Sequence, residues 1–422
     1  MTDVALSDVA PHWFEAARLG MFVHWSAIST KGLELSWPLV GGIPVLPYSD
    51  DVAVADYYDG LADFDPDPAS AAAWCALARR AGMGYIVLTT KHHDGFALWP
   101  SAHAPLSVVQ GCGRDLVGEY VEAARAEGLA VGFYLSLPDW AHPDYPAFGE
   151  EDKPYISFLG RRAEPEAWDR YMADLFGQVR ELCSGYGPIA YLWFDGHWER
   201  AGTEWRAPEL RALIRELQPD CLVNDRLDGV GDVATPEQSV PPQPLPGRWE
   251  TCLTMNRTWG WHPGDTEYKT ARRIVHTICE TAGKGGNLLL NVSPTGTGAL
   301  PAPQVERLEA VGRWMEANGT AIHGSGPGLE PWQWYGPSTR VGERLFLHLL
   351  SRPYDTVSVR GVHVRRVRRV VHLASGAELA FETTTTADQE MFGTDPLGEV
   401  IITVPGDLVD DLATVLELDL GA

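Results

Sequence analysis

The sequence has no paired-cysteine motif, no long apolar run and no surplus of positive charge, and each absence closes off a class of protein. Its six cysteines, at 75, 112, 183, 221, 252 and 279, form no C-x-x-C pair and are scattered through 422 residues. That pattern argues against a disulfide framework or a cysteine zinc site, and six reduced, mostly buried thiols are expected. No stretch of about 18 uninterrupted apolar residues occurs, so no membrane-spanning helix is expected. The opening MTDVALSDVAPHWFEAARLG carries aspartates and lacks the apolar centre of a secretory leader, so a cytoplasmic location is expected. Lys and Arg number 33 against 57 Asp and Glu, a net charge of −24. Nucleic acid and anionic membrane both need a basic surface and are not expected partners. A homo-oligomer is compatible with this composition. Internal repeats and low-complexity tracts are absent as well.

What is present is apolar and aromatic. Hydrophobic residues make up 45% of the chain, with 16 Trp and 14 Tyr, enough to bury a large core. Short apolar runs recur: GMFVHW (20–25), GYIVLTTK (84–91), LAVGFYLSL (129–137), IAYLWFDG (189–196), CLVNDR (221–226) and GNLLLNVSP (286–294). Near-continuous apolar strands suit a parallel sheet covered on both faces. Between them, 114–128, 166–187, 207–220 and 268–283 repeat apolar residues at helical spacing. Gly128 and Gly283 stand where a left-handed helix cap suits glycine. This many strand–helix units in one stretch points to an α/β fold, an irregular (β/α)8-like barrel of the TIM type over residues 1–325. A doubly wound sheet is the alternative. Near residue 320 the composition changes. HGSGPGLEPWQWYGPSTR (323–340) is rich in Gly, Pro and Ser, and short strands with turn residues follow it. Residues 326–422 are therefore expected to form a small C-terminal β-sandwich.

In a parallel barrel the C-terminal ends of the strands carry the active site. Polar residues collect there: His24, then His92 and His93, Tyr134, Asp195, and Asn224-Asp225-Arg226. Asp195 follows the apolar AYLWF, so a core strand delivers a carboxylate to the mouth. A carboxylate there is either a cap or buried ion pair, or a nucleophile suited to an anomeric carbon. Such chemistry needs a second carboxyl as acid and base, and Glu237, Glu250 and Glu267 are the candidates downstream. Adjacent histidines on an extended segment point to opposite sides. His92 and His93 are thus not expected to share an ion, and neither an H-x-H nor an H-E-x-x-H spacing occurs. No metal or other cofactor is expected. Hydrogen bonding of these histidines to a polyhydroxylated ligand is the better reading.

RLGMFVHWS, YIVLTTKHHDGFALWPS, RDLVGEYVEAARAEGLAVGFYLSLPDW, GPIAYLWFDG, ELQPDCLVNDR, DVATPEQ, WETCLTMNRTWGW and GKGGNLLLNVSPTGTGALP, in this order over roughly residues 12–320, resemble glycoside hydrolase family 29, the α-L-fucosidases. The resemblance implies an irregular barrel with a C-terminal sandwich. It also implies metal-free, stereochemically retaining, exo-acting hydrolysis of terminal fucose, with a fucosylated oligosaccharide or glycoconjugate as substrate. It makes Asp195 the nucleophile and Glu237 the acid/base, with Glu250 as the alternative. It assigns His24, His92, His93, Tyr134 and Arg226 to the sugar pocket. The family's Glu-Trp pair after the first strand is not intact, because GLELSWPL separates Glu34 from Trp37. Trp37 is assigned to the pocket and Glu34 is a weaker candidate. The alternatives are a glycosidase acting on L-galactose or another fucose-like sugar, and a non-catalytic fucose-binding protein.

Overall fold

The computed structural model describes residues 13–42, 47–146, 153, 163–200, 202–227 and 229–421. Eight parallel strands form the barrel: β1 Leu19–Val23, β2 Tyr85–Lys91, β3 Ala130–Ser136, β4 Tyr191–Asp195, β5 Leu222–Val223, β6 Val233–Ala234, β7 Arg248–Thr254 and β8 Asn287–Val292. The hydrogen-bonded order is β5-β4-β3-β2-β1-β8-β7-β6. A parallel bridge from Asn224 to Val233, with Asp225 N–H donating to the Val233 carbonyl at 2.8 Å, joins the two ends.

Helices α1 Ser70–Arg80, α2 Leu116–Ala126, α3 Pro165–Gly185, α4 Ala207–Leu217, α5 Ala271–Gly283 and α6 Ala302–Asn318 wrap this ring. They form where apolar residues repeat at helical spacing. In α3, Tyr171, Leu175, Val179 and Leu182 make one buried stripe, each side chain contributing about 1.5–3 kcal/mol by burial. Side-chain caps start two of them: Asp115 accepts from Gly118 N–H at 2.9 Å, and Thr270 from Arg273 N–H at 3.1 Å. Gly128 takes the expected left-handed conformation, with φ +67. Gly283 does not. It is the last helical residue, and Gly285 two positions on has φ +81. Among the described residues no helix separates β5 from β6 or β6 from β7, which is the irregularity of this barrel.

The interior is filled by side chains, as small barrels require. Phe22, Val87, Tyr134, Tyr191, Trp193, Cys252 and Leu289 are packed in one buried cluster. All six cysteines are unpaired, and five of them are buried. Among the described residues no helix is long and apolar enough to cross a membrane.

From Gly326 onward the chain forms two antiparallel sheets, of six strands and three. Leu345, Leu347, Val359, Val400, Ile402, Leu416 and Leu418 pack in a second core. Period-two alternation turns Phe346 and Val415 the other way, into the core of the barrel. The Trp314 indole of α6 donates to the Ala413 carbonyl at 2.8 Å across this junction.

Candidate active site

Asp195 is the last residue of β4. Tyr134 OH donates to its Oδ2 at 3.0 Å, and Arg226 Nη1 to its Oδ1 at 2.8 Å. Gly196 follows with φ +81, and a Cβ there would lie 2.2 Å from Pro138 Cδ. Only glycine therefore lets the chain turn away so soon after the carboxylate. Arg226 Nη2 donates to Glu237 Oε2 at 2.7 Å, and its guanidinium lies 4.6 Å over the Trp193 ring. One planar fork thus holds both carboxylates. Of the two, Glu237 is the more open, its side chain 38% exposed against 12% for Asp195.

Three imidazoles gather beside them. The expected opposite orientation of His92 and His93 is not observed, for their ring centroids lie 4.3 Å apart. The strand has ended by then. β2 stops at Lys91, and Gly95 N–H donates to the His92 carbonyl at 3.1 Å, closing a turn. Alternation belongs to extended chain, and the turn swings both rings to one side. A Cβ on Gly95, at φ +81, would lie 2.2 Å from Asp139 Oδ1. Asp139 itself is paired with Lys91 at 3.1 Å, both side chains fully buried.

Each ring is anchored through Nδ1: His24 to Asn291 Oδ1 at 2.7 Å, His92 to Ser36 Oγ and His93 to Ser136 Oγ. His93 Nε2 is buried, has no hydrogen-bond partner among the described residues, and lies 3.9 Å from Asp195 Oδ2. Burial pushes His24 down to about 4, against the pull of its Asn291 bond. Burial and then the Lys91 charge push His93 to about 3, and His92 is lowered chiefly by burial. All three are neutral near pH 7, able to donate or accept a hydroxyl hydrogen bond without adding charge. Tyr134 stacks on His92 at 5.6 Å, and Trp37 stands edge-on to His93 at 5.2 Å.

The remaining candidates lie elsewhere. Glu34 is buried and uses both oxygens on backbone, accepting from Trp259 N–H at 2.7 Å and Gly260 N–H at 2.8 Å. It braces the loop whose Trp259 ring lies 4.8 Å from His24. Burial pushes its carboxyl up to about 8. Glu250 is not at the rim. It is paired in register with Asn287, the first residue of β8, and accepts from Tyr85 OH at 2.5 Å, Tyr191 OH at 2.9 Å and Trp193 Nε1 at 3.0 Å. It lies near the N-terminal ends of the strands, sealed by three aromatic donors, whereas Glu237 shares Arg226 with Asp195. Glu267 is an exposed partner of Arg257 at 3.4 Å. Asn224 and Asp225 are occupied by neighbouring backbone, Asn224 with Phe194 and Asp225 with Thr235.

Asn291, Ser36, Ser136, Trp140 and Trp259 belong to the site and were not singled out from the sequence. Asn291 and Ser136 satisfy the strand-end rule that found Asp195. Ser36, Trp140 and Trp259 sit on loops and carry no such signal.

A parallel barrel whose mouth holds two carboxylates on one guanidinium, ringed by neutral imidazoles, has the groups that a glycoside hydrolase needs. Comparison with known proteins names the family. The Alpha-L-fucosidase family model matches residues 2–320. Tissue alpha-L-fucosidase of Mus musculus is 33% identical over 346 residues, covering 75% of this chain and 72% of that protein. The human tissue enzyme is 31% identical over 369 residues, covering 80% and 76%. Among solved structures, alpha-L-fucosidase isoenzyme 1 from Paenibacillus thiaminolyticus superposes with a TM-score of 0.83 at 36% identity, covering 97% of this chain and 98% of that one. The Thermotoga maritima alpha-fucosidase, solved in complex with a mechanism-based inhibitor, gives a TM-score of 0.74 at 28% identity, covering 97% of each chain. The chain belongs to the α-L-fucosidase family, glycoside hydrolase family 29.

Proposed function

We propose that the protein is a retaining, exo-acting α-L-fucosidase that uses Asp195 as nucleophile and Glu237 as acid and base. A terminal α-L-fucosyl residue seats against His24, His92, His93 and Trp37. Asp195 attacks the anomeric carbon while the bond to the leaving oxygen breaks, and Glu237 gives that oxygen its proton. Water then attacks the fucosyl ester, Glu237 takes the water's proton, and fucose leaves with Asp195 restored. Two inversions give net retention.

The observation that carries this reading is the Arg226 fork, 2.8 Å from Asp195 and 2.7 Å from Glu237. Carboxylates held by one guanidinium suit the separation of about 5–5.5 Å used by retaining enzymes, rather than the ~6.5–9.5 Å of inverting ones. The openness of Glu237 fits the side on which the aglycone leaves and water enters. The mechanism-based inhibitor bound by the Thermotoga relative supports a covalent route. The substrates proposed for this protein are fucosylated oligosaccharides or glycoconjugates. Six unpaired cysteines support action in a reducing, cytoplasmic setting.

A slow fluorinated fucosyl donor tests the proposal. The peptide containing Asp195 should gain one sugar mass, and a label on any other residue would overturn the assignment.

A further inference from the structure

We propose that Glu199 is a positioning residue of the sugar pocket, holding Trp140 so that Trp140 sets the places of His93 and Trp37. The inference rests on the reading of that pocket as the fucose site.

Glu199 ends the short turn His197–Glu199 that follows Asp195 and Gly196, and its own N–H donates to the Gly196 carbonyl at 3.2 Å. Its side chain is buried. Oε1 accepts the Trp140 indole N–H at 2.9 Å, and Oε2 accepts the Tyr145 hydroxyl. Trp140 is the shared neighbour of two pocket residues. Its backbone N–H donates to the His93 carbonyl at 2.8 Å, and its ring lies 5.1 Å from His93 and 6.0 Å from Trp37. Segments after β1, β2 and β3 therefore meet at Trp140, whose indole is held by a carboxyl from the segment after β4.

A buried carboxyl is costly unless its oxygens are used, and here each oxygen has an aromatic donor. Arg200, the next residue, lies 5.2 Å over the Tyr145 ring and 5.4 Å over the Trp168 ring. It places positive charge beside the network. Burial, against the Tyr145, Trp140 and Arg200 contributions, pushes the Glu199 carboxyl up to about 7. Neither protonation state removes the acceptors that hold Trp140. Loss of the side chain does. The indole N–H then loses its carboxylate acceptor, and with it the bond that sets the ring against His93 and Trp37. The residues it supports bind sugar in this reading rather than transfer protons. The loss should therefore appear in binding and leave the dependence on leaving group alone.

The test uses the full chain, an activated aryl α-L-fucoside, a second fucoside with a poor leaving group, and L-fucose as competitive inhibitor. Glu199→Ala should raise KM and the L-fucose inhibition constant by about tenfold or more, since small displacements of positioning groups are felt strongly. The ratio of rates on the two substrates should stay at the wild-type value. Glu199→Gln keeps an acceptor for the indole and should stay within about threefold of wild type. Trp140→Phe keeps the ring, drops the N–H and should weaken fucose binding several-fold, so the link is read even where Glu199→Ala does not fold. A folded Glu199→Ala or Trp140→Phe with wild-type KM and wild-type inhibition by L-fucose would overturn the inference while leaving the fucosidase reading intact. A wild-type enzyme that neither cleaves the aryl fucoside nor is inhibited by L-fucose would sink that reading, and this inference with it.

Discussion

Asp195 and Glu250 are carboxyl groups inside one barrel, and the Trp193 indole touches the surroundings of both. Its ring lies under Arg226, which binds Asp195, while its N–H donates to Glu250. Above, the partner is a guanidinium and the side chain keeps a path to solvent. Below, the partners are two phenols and an indole, and Glu250 is fully buried. Burial pushes Glu250 up to about 7, and its three hydrogen bonds oppose that without winning. A carboxyl is suited to act as a reagent where its charge is matched and a path to solvent stays open. Sealed among neutral donors, the same group fastens strands together.

The contrast is broken most severely by removing the upper carboxylate. Asp195→Gly should lose about four or more orders of magnitude in kcat, since covalent catalysis goes with it. It should still bind L-fucose, because the imidazoles remain. Near-normal turnover by the variant would end the nucleophile assignment.

A milder perturbation separates Glu237 from Glu250. Glu237→Ala should lose about 10²–10⁴-fold on fucosides with poor leaving groups and much less on activated aryl fucosides. Azide should restore turnover of the latter. Glu250→Gln, by contrast, should keep wild-type leaving-group dependence and show no azide effect. The reverse pattern would move the acid/base role to the floor of the barrel.

The smallest effect is on stability. A Glu in the unfolded chain loses its proton near pH 4.5, whereas folded Glu250 keeps it to about 7. Between those values the folded protein binds more protons. The stability this group contributes is thus full below about pH 4.5 and lost as pH rises through about 7. Glu250→Gln cannot titrate. Denaturant unfolding of both proteins should show wild type losing about 3 kcal/mol relative to the variant between pH 4.5 and 8. A difference that stays flat across this range would mean that Glu250 is already ionised in the folded protein at acid pH.

The same contrast explains what could be read in advance. Asp195 was legible because AYLWF is apolar to its last residue, so the carboxylate stands out. β7 was not, because RWETCLT buries Glu250, Thr251 and Thr254, with Glu250 accepting from Tyr and Trp donors of other strands and the two threonine hydroxyls donating to Ser239 and Gln238. A strand with buried polar groups does not read as an apolar run. β6, two residues long, gave no period at all. His92 and His93 were expected at the strand-end rim, and the structure brings them together there, but their orientation depends on a turn closed by Gly95, which strand periodicity does not describe. The anchors Ser36, Ser136 and Asn291 act across the fold, 56, 43 and 267 residues from the rings they hold. No local pattern encodes such pairings.

The bond from His24 to Asn291 ties β1, the first strand of the ring to be synthesised, to β8, the last. An emerging chain makes His24 early and cannot orient it until nearly the whole barrel has left the ribosome. The first pocket histidine to be made is among the last to be set. In refolding, recovery of activity should therefore lag behind recovery of helix content, marking the moment at which the two ends of the barrel domain find each other.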